Sequence, residues 1–183
     1  ARELASVGVT FDFAPVLDIL TNPANPVIGD RAISHDPAVV ARLGAAVIRG
    51  LQEHGVAACG KHFPGHGDTS VDSHHALPVV GHDRARLDAV EWAPFRAAIA
   101  ADVASLMTGH LMVPALDADR RATFSSRVVT GELKQGLGFG GVVFSDDMGM
   151  KAATGDISLP EASVAAIQAG CDAVLLCNST VDE

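Results

Sequence analysis

The chain has 183 residues, of which 48% are hydrophobic and 19% charged, so it can bury a core and is too apolar for disorder. Its formal net charge of −9 disfavours a nucleic-acid or anionic-membrane binder, because both of these partners need a basic surface. No apolar run reaches the ~20 residues of a membrane span. The length predicts one domain over residues 1–183.

In chain order, five short apolar runs alternate with longer Ala-rich stretches. The runs are apolar on both faces, as in a parallel sheet that helices cover. Such alternation predicts a βαβ series, hence an α/β fold with a parallel sheet. The five predicted strands are "VTFDFAPVLDI", "VAACGKHF", "SLMTGHLMV", "GVVFSDDM" and "DAVLLC".

Two of the Ala-rich stretches carry clear helix signals. Asp36 is a predicted N-cap with Pro37 at the first helical position, and Gly55 is a plausible stop. Ser158 and Glu161 have the spacing of a capping box at the start of the last helix.

The three cysteines lie inside apolar, strand-like runs: Cys59, Cys171 and Cys177. An odd number in such positions is typical of reduced core thiols and argues against a disulfide framework. This pattern favours a reducing compartment.

The predicted strands end in polar residues. Asp18, the pair Lys61 and His62, His110 and Asp146 each follow an apolar run. In barrels and open α/β sheets the carboxyl ends of the strands form the active-site face, so these side chains should converge there. A (β/α)8 barrel has eight strands and roughly 250 residues. We therefore expect either an open sheet or a barrel whose first units are absent, and the helix-like opening "ARELASVG" favours the latter.

The segment "KHFPGHGDTSVDSHH" holds four of the eight histidines. His62 and His66 are spaced i, i+4, which could chelate a metal from one helix face, but Pro64 and the neighbouring glycines break helices. The sequence pattern is compatible with a metal site and also with a purely structural role for these histidines.

A catalytic interpretation of this segment depends on Asp72 and His74. In an extended segment the two side chains point to the same side, so the carboxylate could fix the imidazole tautomer for proton transfer. The flanking glycines suggest a mobile loop.

In "FSDD", strand alternation predicts that only one of Asp146 and Asp147 points into the active site at the carboxyl ends of the strands. A nucleophilic carboxylate there would need cationic neighbours, and Lys61 and Arg31 are candidates. Arg31 lies in a Pro/Gly-rich loop and could clamp a hydroxyl- or carboxylate-bearing ligand, although the pattern alone favours a surface arginine.

Together, "FAPVLDI", "IGDRAIS", "GKHFPGHGDTSVDSHHALP", "LMTGHLMVPALD" and "GFGGVVFSDDMGM" resemble the family 3 glycoside hydrolases over essentially the whole chain. The histidine segment resembles the β-N-acetylhexosaminidase branch. The resemblance implies a (β/α)8 TIM-type barrel and retaining hydrolysis of terminal β-linked N-acetylglucosamine without a metal or organic cofactor. The family's upstream D-Q-E-G-G-type segment has no counterpart here, so we expect a barrel fragment that is incomplete at its N-terminus.

The resemblance also implies residue roles. Asp146 matches the nucleophile, His74 the acid/base and Asp72 its orienting partner. Lys61, His62 and Arg31 match residues that bind sugar hydroxyls. The substrate would be a small carbohydrate from peptidoglycan (muropeptides) or chitin, with no nucleic-acid partner.

Alternatives stay open: a phosphorylase on the same site, a metal-dependent hydrolase built on His62, His66 and Asp68, or a fragment without activity. We expect a cytoplasmic location, with a secreted or envelope-associated one as the alternative.

Overall fold

A computed structural model describes residues 1–177 of the chain. It contains five strands, β1 Phe11–Asp12, β2 Ala57–Phe63, β3 Ser105–Thr108, β4 Val142–Asp147 and β5 Ala173–Leu175. The α-helices are α1 Arg2–Ser6, α2 Pro37–Gln52, α3 Arg84–Arg86, α4 Ala93–Ala100, α5 Lys151–Thr154 and α6 Leu159–Ala169. Leu87–Glu91 and Arg127–Gly136 form π-helices, and Gly29–Arg31 and Ala122–Phe124 form 3₁₀ turns.

The strands form one parallel sheet in the order β1-β2-β3-β4-β5. Strand order that follows chain order is the arrangement of a (β/α)8 barrel, whereas doubly wound sheets reorder their strands. The sheet is also strongly curved. Phe144 of β4 has its ring centroid 5.4 Å from that of Phe11 and 5.6 Å from that of Phe13, although strands three apart in a flat sheet would be roughly 14 Å apart. The predicted α/β fold with a curved, barrel-type sheet is confirmed.

The helix signals of the sequence are also confirmed. The Asp36 side chain accepts a hydrogen bond from the Ala38 N–H at 2.8 Å, and Pro37 begins α2. Ser158 and Glu161 form the capping box of α6. Gly55, the predicted stop of α2, has φ +77° and lies three residues after the last residue of that helix, Gln52.

Three element boundaries differ from the prediction. The first strand is reduced to β1 and a single parallel bridge between Val16 and Lys61. The third strand stops at Thr108, because the chain then turns into the loop that carries His110. The Ala-rich stretch between the second and third apolar runs, residues 84–103, is divided by the π-helix Leu87–Glu91.

A buried aromatic cluster supports the end of β2, where the site begins. Phe63 stacks on Trp92 with ring centroids 5.8 Å apart and meets Phe95 edge-on at 5.3 Å. All three side chains have no exposed surface, so the last residue of β2 is fixed against α4. Within residues 1–177, no helix has the length and apolar character of a membrane span.

Candidate active site

A pocket of about 240 Å³ opens at the carboxyl ends of the strands. Each strand contributes an inward-facing residue at or just after its end, and loops supply the rest. Its lining comprises Phe13, Val27, Ile28, Arg31, Lys61, His62, His66, Ser73, His74, Met107, Asp146, Leu175 and Cys177. A larger cleft between α1 and α2 includes none of the predicted site residues.

The two aspartates of β4 have different surroundings. Asp146 lines the pocket, whereas the Asp147 carboxylate accepts backbone hydrogen bonds from Gly149 at 3.0 Å and Cys177 at 3.1 Å. Asp147 therefore fixes the loop that follows β4. Asp146 uses Oδ1 to accept the Asp147 N–H at 2.8 Å and still faces the pocket, as the strand alternation predicted.

A buried carboxylate, Asp18, lies directly behind the pocket. It accepts hydrogen bonds from the backbone N–H groups of His62 and His66 and from Nδ1 of His62 at 2.6 Å. Burial alone would raise the pKa of Asp18, but its contacts with His62 and His66 lower the pKa below its usual value.

His62 links this buried carboxylate to the pocket. Its Nδ1 faces Asp18, and its Nε2 lies 3.8 Å from Oδ2 of Asp146. Because Asp18 holds Nδ1–H, the imidazole can present only Nε2 to Asp146 or to a ligand.

Two cations, Lys61 and Arg31, line the same pocket as the Asp146 carboxylate. Burial lowers the pKa of the Lys61 ammonium, the nearby Arg31 charge lowers it further, and the Asp146 carboxylate opposes both effects. The β2–β3 register shifts between Lys61 and Phe63, so the consecutive residues Lys61 and His62 both line the pocket despite the alternation of a regular strand. The peptide bond between them is cis.

Arg31 reaches the pocket from the loop that follows β1. Its guanidinium donates to the Val27 carbonyl at 3.2 Å. Asn25 shapes this loop by accepting from the N–H groups of Val27 and Ile28. Arg31 is exposed, yet it lies on the pocket wall.

Asp72 and His74 are paired, but the geometry differs from the prediction. The segment is a turn and not an extended strand: the Asp72 carbonyl accepts from the N–H groups of His75 and Ala76. The Asp72 carboxylate accepts both the His74 backbone N–H at 2.9 Å and a hydrogen bond from His74 Nδ1 at 2.7 Å. These bonds lower the pKa of Asp72, although partial burial acts to raise it.

The arrangement of the other loop groups disfavours the metal interpretation. Both ring nitrogens of His66 are occupied, by Thr69 at 2.7 Å and Ser73 at 3.1 Å. Asp68 points away from them and pairs with His82 at 2.6 Å and with Thr21 at 2.7 Å. Within residues 1–177, no group of three or more His, Cys, Asp or Glu side chains could hold a metal ion.

His110 and Cys177 lie in surroundings that differ from those expected from the strand pattern. His110 was expected among the side chains that converge at the strand ends, but it is fully buried and is not part of the pocket lining; it lies within hydrogen-bond distance of Thr123 and the Asp147 carbonyl. Cys59 and Cys171 are buried free thiols, as predicted, but the core assignment of Cys177 was wrong. β5 ends at Leu175, so Cys177 lies beyond the strand on the exposed pocket rim.

Sequence reasoning missed the groups that hold the site together, above all Asp18 as a hub, Asn25, Thr69 and Ser73. Asp18 had a visible signal, since a carboxylate inside the apolar run "PVLDIL" needs a buried partner. The other three are small polar residues in loops, where composition gives no such signal.

Fold and pocket together define the class: a (β/α)8-type barrel domain with a carboxylate, a histidine-aspartate pair and two cations at the carboxyl ends of its strands. The sequence profile of the glycosyl hydrolase family 3 N-terminal domain matches residues 1–183. The chain therefore belongs to glycosyl hydrolase family 3.

Two curated relatives share one name and are longer than this chain. The chain is 46% identical over 178 residues to a protein named Beta-hexosaminidase from Thiobacillus denitrificans, covering 97% of this chain and 49% of that protein. A Beta-hexosaminidase from Neisseria meningitidis is 41% identical over 185 residues, covering 100% of this chain and 51% of that protein. The chain thus spans about half the length of these curated relatives.

Solved structures agree in fold. The structure of a glycoside hydrolase family 3 β-N-acetylglucosaminidase from Paenibacillus sp. superposes with a TM-score of 0.94 at 49% identity, covering 96% of this chain and 34% of that one. NagZ from Neisseria gonorrhoeae, solved with N-trifluoroacetyl-D-glucosamine, gives a TM-score of 0.87 at 40% identity, covering 97% of this chain and 51% of that one.

Proposed function

We propose that this chain carries the chemistry of a retaining β-N-acetylhexosaminidase that removes terminal β-linked N-acetylglucosamine. The observation that carries the proposal is one pocket lined by both Asp146 and the Asp72-oriented imidazole of His74. The names of the relatives, Beta-hexosaminidase and β-N-acetylglucosaminidase, support the substrate class.

In the first step, the Asp146 carboxylate attacks the anomeric carbon while the bond to the leaving oxygen breaks. Protonated His74 gives its proton to that oxygen, so the aglycone leaves as a neutral alcohol. The product on the protein is a glycosyl ester of Asp146.

In the second step, water attacks the same carbon and the bond to Asp146 breaks. His74, now neutral, takes the proton of the water, which restores both groups. Two displacements at one carbon retain the β configuration.

Asp72 has a positioning role in this scheme. By accepting from Nδ1 of His74 it leaves Nε2 as the nitrogen that exchanges protons with the substrate. Lys61, His62 and Arg31 would bind sugar hydroxyls through the donors that they present to the pocket.

The natural glycoside is proposed to be a peptidoglycan fragment, with chitin-derived sugars as the competing source. A comparison of kcat/KM for a muropeptide and for N,N′-diacetylchitobiose tests this choice. A clear preference for the chitin disaccharide would contradict the peptidoglycan assignment.

The reaction is tested with the complete natural protein and 4-nitrophenyl N-acetyl-β-glucosaminide, following the first-formed anomer by proton NMR. We expect the β anomer, and we expect Asp146→Asn to abolish turnover. Asp119→Asn is a matched control because Asp119 is exposed and lies outside the pocket. His74→Ala should lose roughly 10²–10⁴ in rate on a natural glycoside, and far less on an activated aryl glycoside.

Two outcomes would contradict the proposal. Release of the α anomer would rule out the two-displacement route, and full activity of Asp146→Asn would rule out its nucleophile. Stimulation by phosphate with sugar 1-phosphate as product would indicate the phosphorylase alternative.

A further inference from the structure

We propose that His66 and Ser73 form a positioning pair that anchors the acid/base segment, Asp72–His74, to the floor of the pocket. The proposal rests on the proposed function, because it concerns how His74 is held for proton transfer.

Burial within this segment is uneven. Ser73 is 2% exposed, whereas the side chains of its neighbours Asp72 and His74 are 25% and 57% exposed. The carbonyl of Ser73 accepts the N–H of Ala152 from α5 at 3.1 Å. Ser73 is therefore the fixed point from which the two exposed side chains project.

The hydrogen-bond network assigns donor and acceptor roles to the His66 ring. The one hydroxyl proton of Thr69 is directed to the His66 carbonyl at 3.0 Å. Thr69 Oγ1 must then accept from His66 Nδ1 at 2.7 Å, so Nδ1 carries the ring proton. The remaining nitrogen, Nε2, accepts the Ser73 hydroxyl at 3.1 Å.

The surroundings of His66 keep its ring in this neutral form. Burial lowers the pKa of His66, and the Asp18 carboxylate opposes this effect only in part. Asn25 fixes the same unit from the other side by donating to the His66 carbonyl at 2.9 Å and to Thr69 at 3.2 Å.

The pair also connects the acid/base segment, Asp72–His74, to the residues around Asp146. The backbone N–H of His66 donates to Asp18 at 2.7 Å, and Asp18 holds His62 next to Asp146. One buried carboxylate thus fixes His62 beside the candidate nucleophile and, through His66 and Ser73, the segment that carries the acid/base residue. A loss of this anchor should displace His74 and leave Asp146 in place.

The test uses the Ser73→Ala variant of the complete natural protein. We expect kcat/KM for N,N′-diacetylchitobiose to fall about 10- to 100-fold, since misplacement of a catalytic group by ~1 Å has effects of this size. For 2,4-dinitrophenyl N-acetyl-β-glucosaminide, kcat/KM should fall by less than about threefold, because the leaving group of this substrate needs little protonation. Hydrogen exchange of residues 72–76 should become faster.

Ser70→Ala is the matched control. Ser70 is exposed in the same loop, and its side chain makes no hydrogen bond with residues 1–177. The Ser70→Ala variant should therefore have the same kcat/KM as the unchanged protein on both substrates. His66→Gln and the double variant complete a cycle. The double variant should lose little more kcat/KM than His66→Gln alone, because each substitution breaks the same hydrogen bond between His66 and Ser73.

The results separate this inference from the proposed function. Equal losses on both glycosides, or unchanged kinetics and exchange in Ser73→Ala, would overturn the anchoring role. If the unchanged protein hydrolyses neither glycoside, the proposed function is wrong, and hydrogen exchange still decides whether the pair anchors the segment.

Discussion

At the scale of single residues, identical side chains acquire different chemistry from their surroundings. His74 is half-exposed and paired with a carboxylate, His62 links two carboxylates, and His66 and His110 are buried. Burial lowers the pKa of both His66 and His110, although nearby carboxylates act against this effect. Only position in the fold distinguishes these four imidazoles.

The buried histidines predict acid sensitivity. In the unfolded chain, His66 and His110 take up protons near the ordinary pKa of 6.5. In the folded protein their pKa values are lower, so below pH 6.5 the unfolded state binds more protons and the free energy of unfolding decreases. Urea unfolding at pH 7.5, 6.5 and 5.5 should show a loss of stability that begins just below pH 6.5.

A variant isolates the contribution of His110. His110→Gln keeps a side-chain N–H donor and cannot titrate, so its stability should fall less between pH 6.5 and 5.5 than that of the unchanged protein. Parallel stability curves for the two proteins would contradict the prediction.

At the scale of elements, local hydrogen bonds decide where helices begin. Asp36 caps α2, and the Ser158–Glu161 box caps α6. The apolar positions of α2 divide into buried and exposed members: Val40 and Ile48 are fully buried, whereas Leu43 and Val47 are 43% and 41% exposed. The local pattern thus determines the helix and its ends, but not the width of its buried face.

The cap of α2 gives a direct stability prediction. Asp36→Ala removes the acceptor for the Ala38 N–H and should lower the free energy of unfolding by about 1 kcal/mol, as N-cap deletions do. Urea denaturation measures the change. Asp119→Ala, an exposed aspartate whose side chain makes no hydrogen bond with residues 1–177, should change it by less than about 0.5 kcal/mol. Equal effects would argue against the cap.

At the scale of the whole molecule, curvature of the sheet brings distant parts of the chain to one pocket. The aromatic contacts of Phe144 with Phe11 and Phe13 join the inner faces of β4 and β1. Phe144 lies two residues before Asp146 on the same face of β4. The packing that curves the sheet therefore also supports the candidate nucleophile.

Truncation of this aromatic side chain should weaken the curved sheet. We expect Phe144→Ala to lower the free energy of unfolding by about 2 kcal/mol, less than the 3–5 kcal/mol typical of a fully buried Phe. Val142→Ala is the control, since Val142 lies on the same face of β4 but is 43% exposed. Urea unfolding measures both variants. If Phe144→Ala and Val142→Ala lowered the free energy of unfolding by similar amounts, the aromatic cluster would not be what stabilises the curved sheet.

The sequence by itself determined the α/β class, the approximate positions of the strands, and the starts of α2 and α6. These depend on patterns within some ten residues: apolar runs, caps and the polar residues that follow each strand. Asp146, Lys61 and His62 were named from their places at predicted strand ends, whereas Arg31 was assigned to the site through the family resemblance; all four line the pocket.

Only the tertiary structure decided how those residues are held. The bond of Asp18 to His62 joins positions 44 apart, and that of Asn25 to His66 joins positions 41 apart. The same long-range packing made Cys177 a pocket residue and Asp147 a loop anchor. Such contacts depend on the three-dimensional path of the chain, because hydrogen bonds act over ~3 Å in space whatever the separation in sequence.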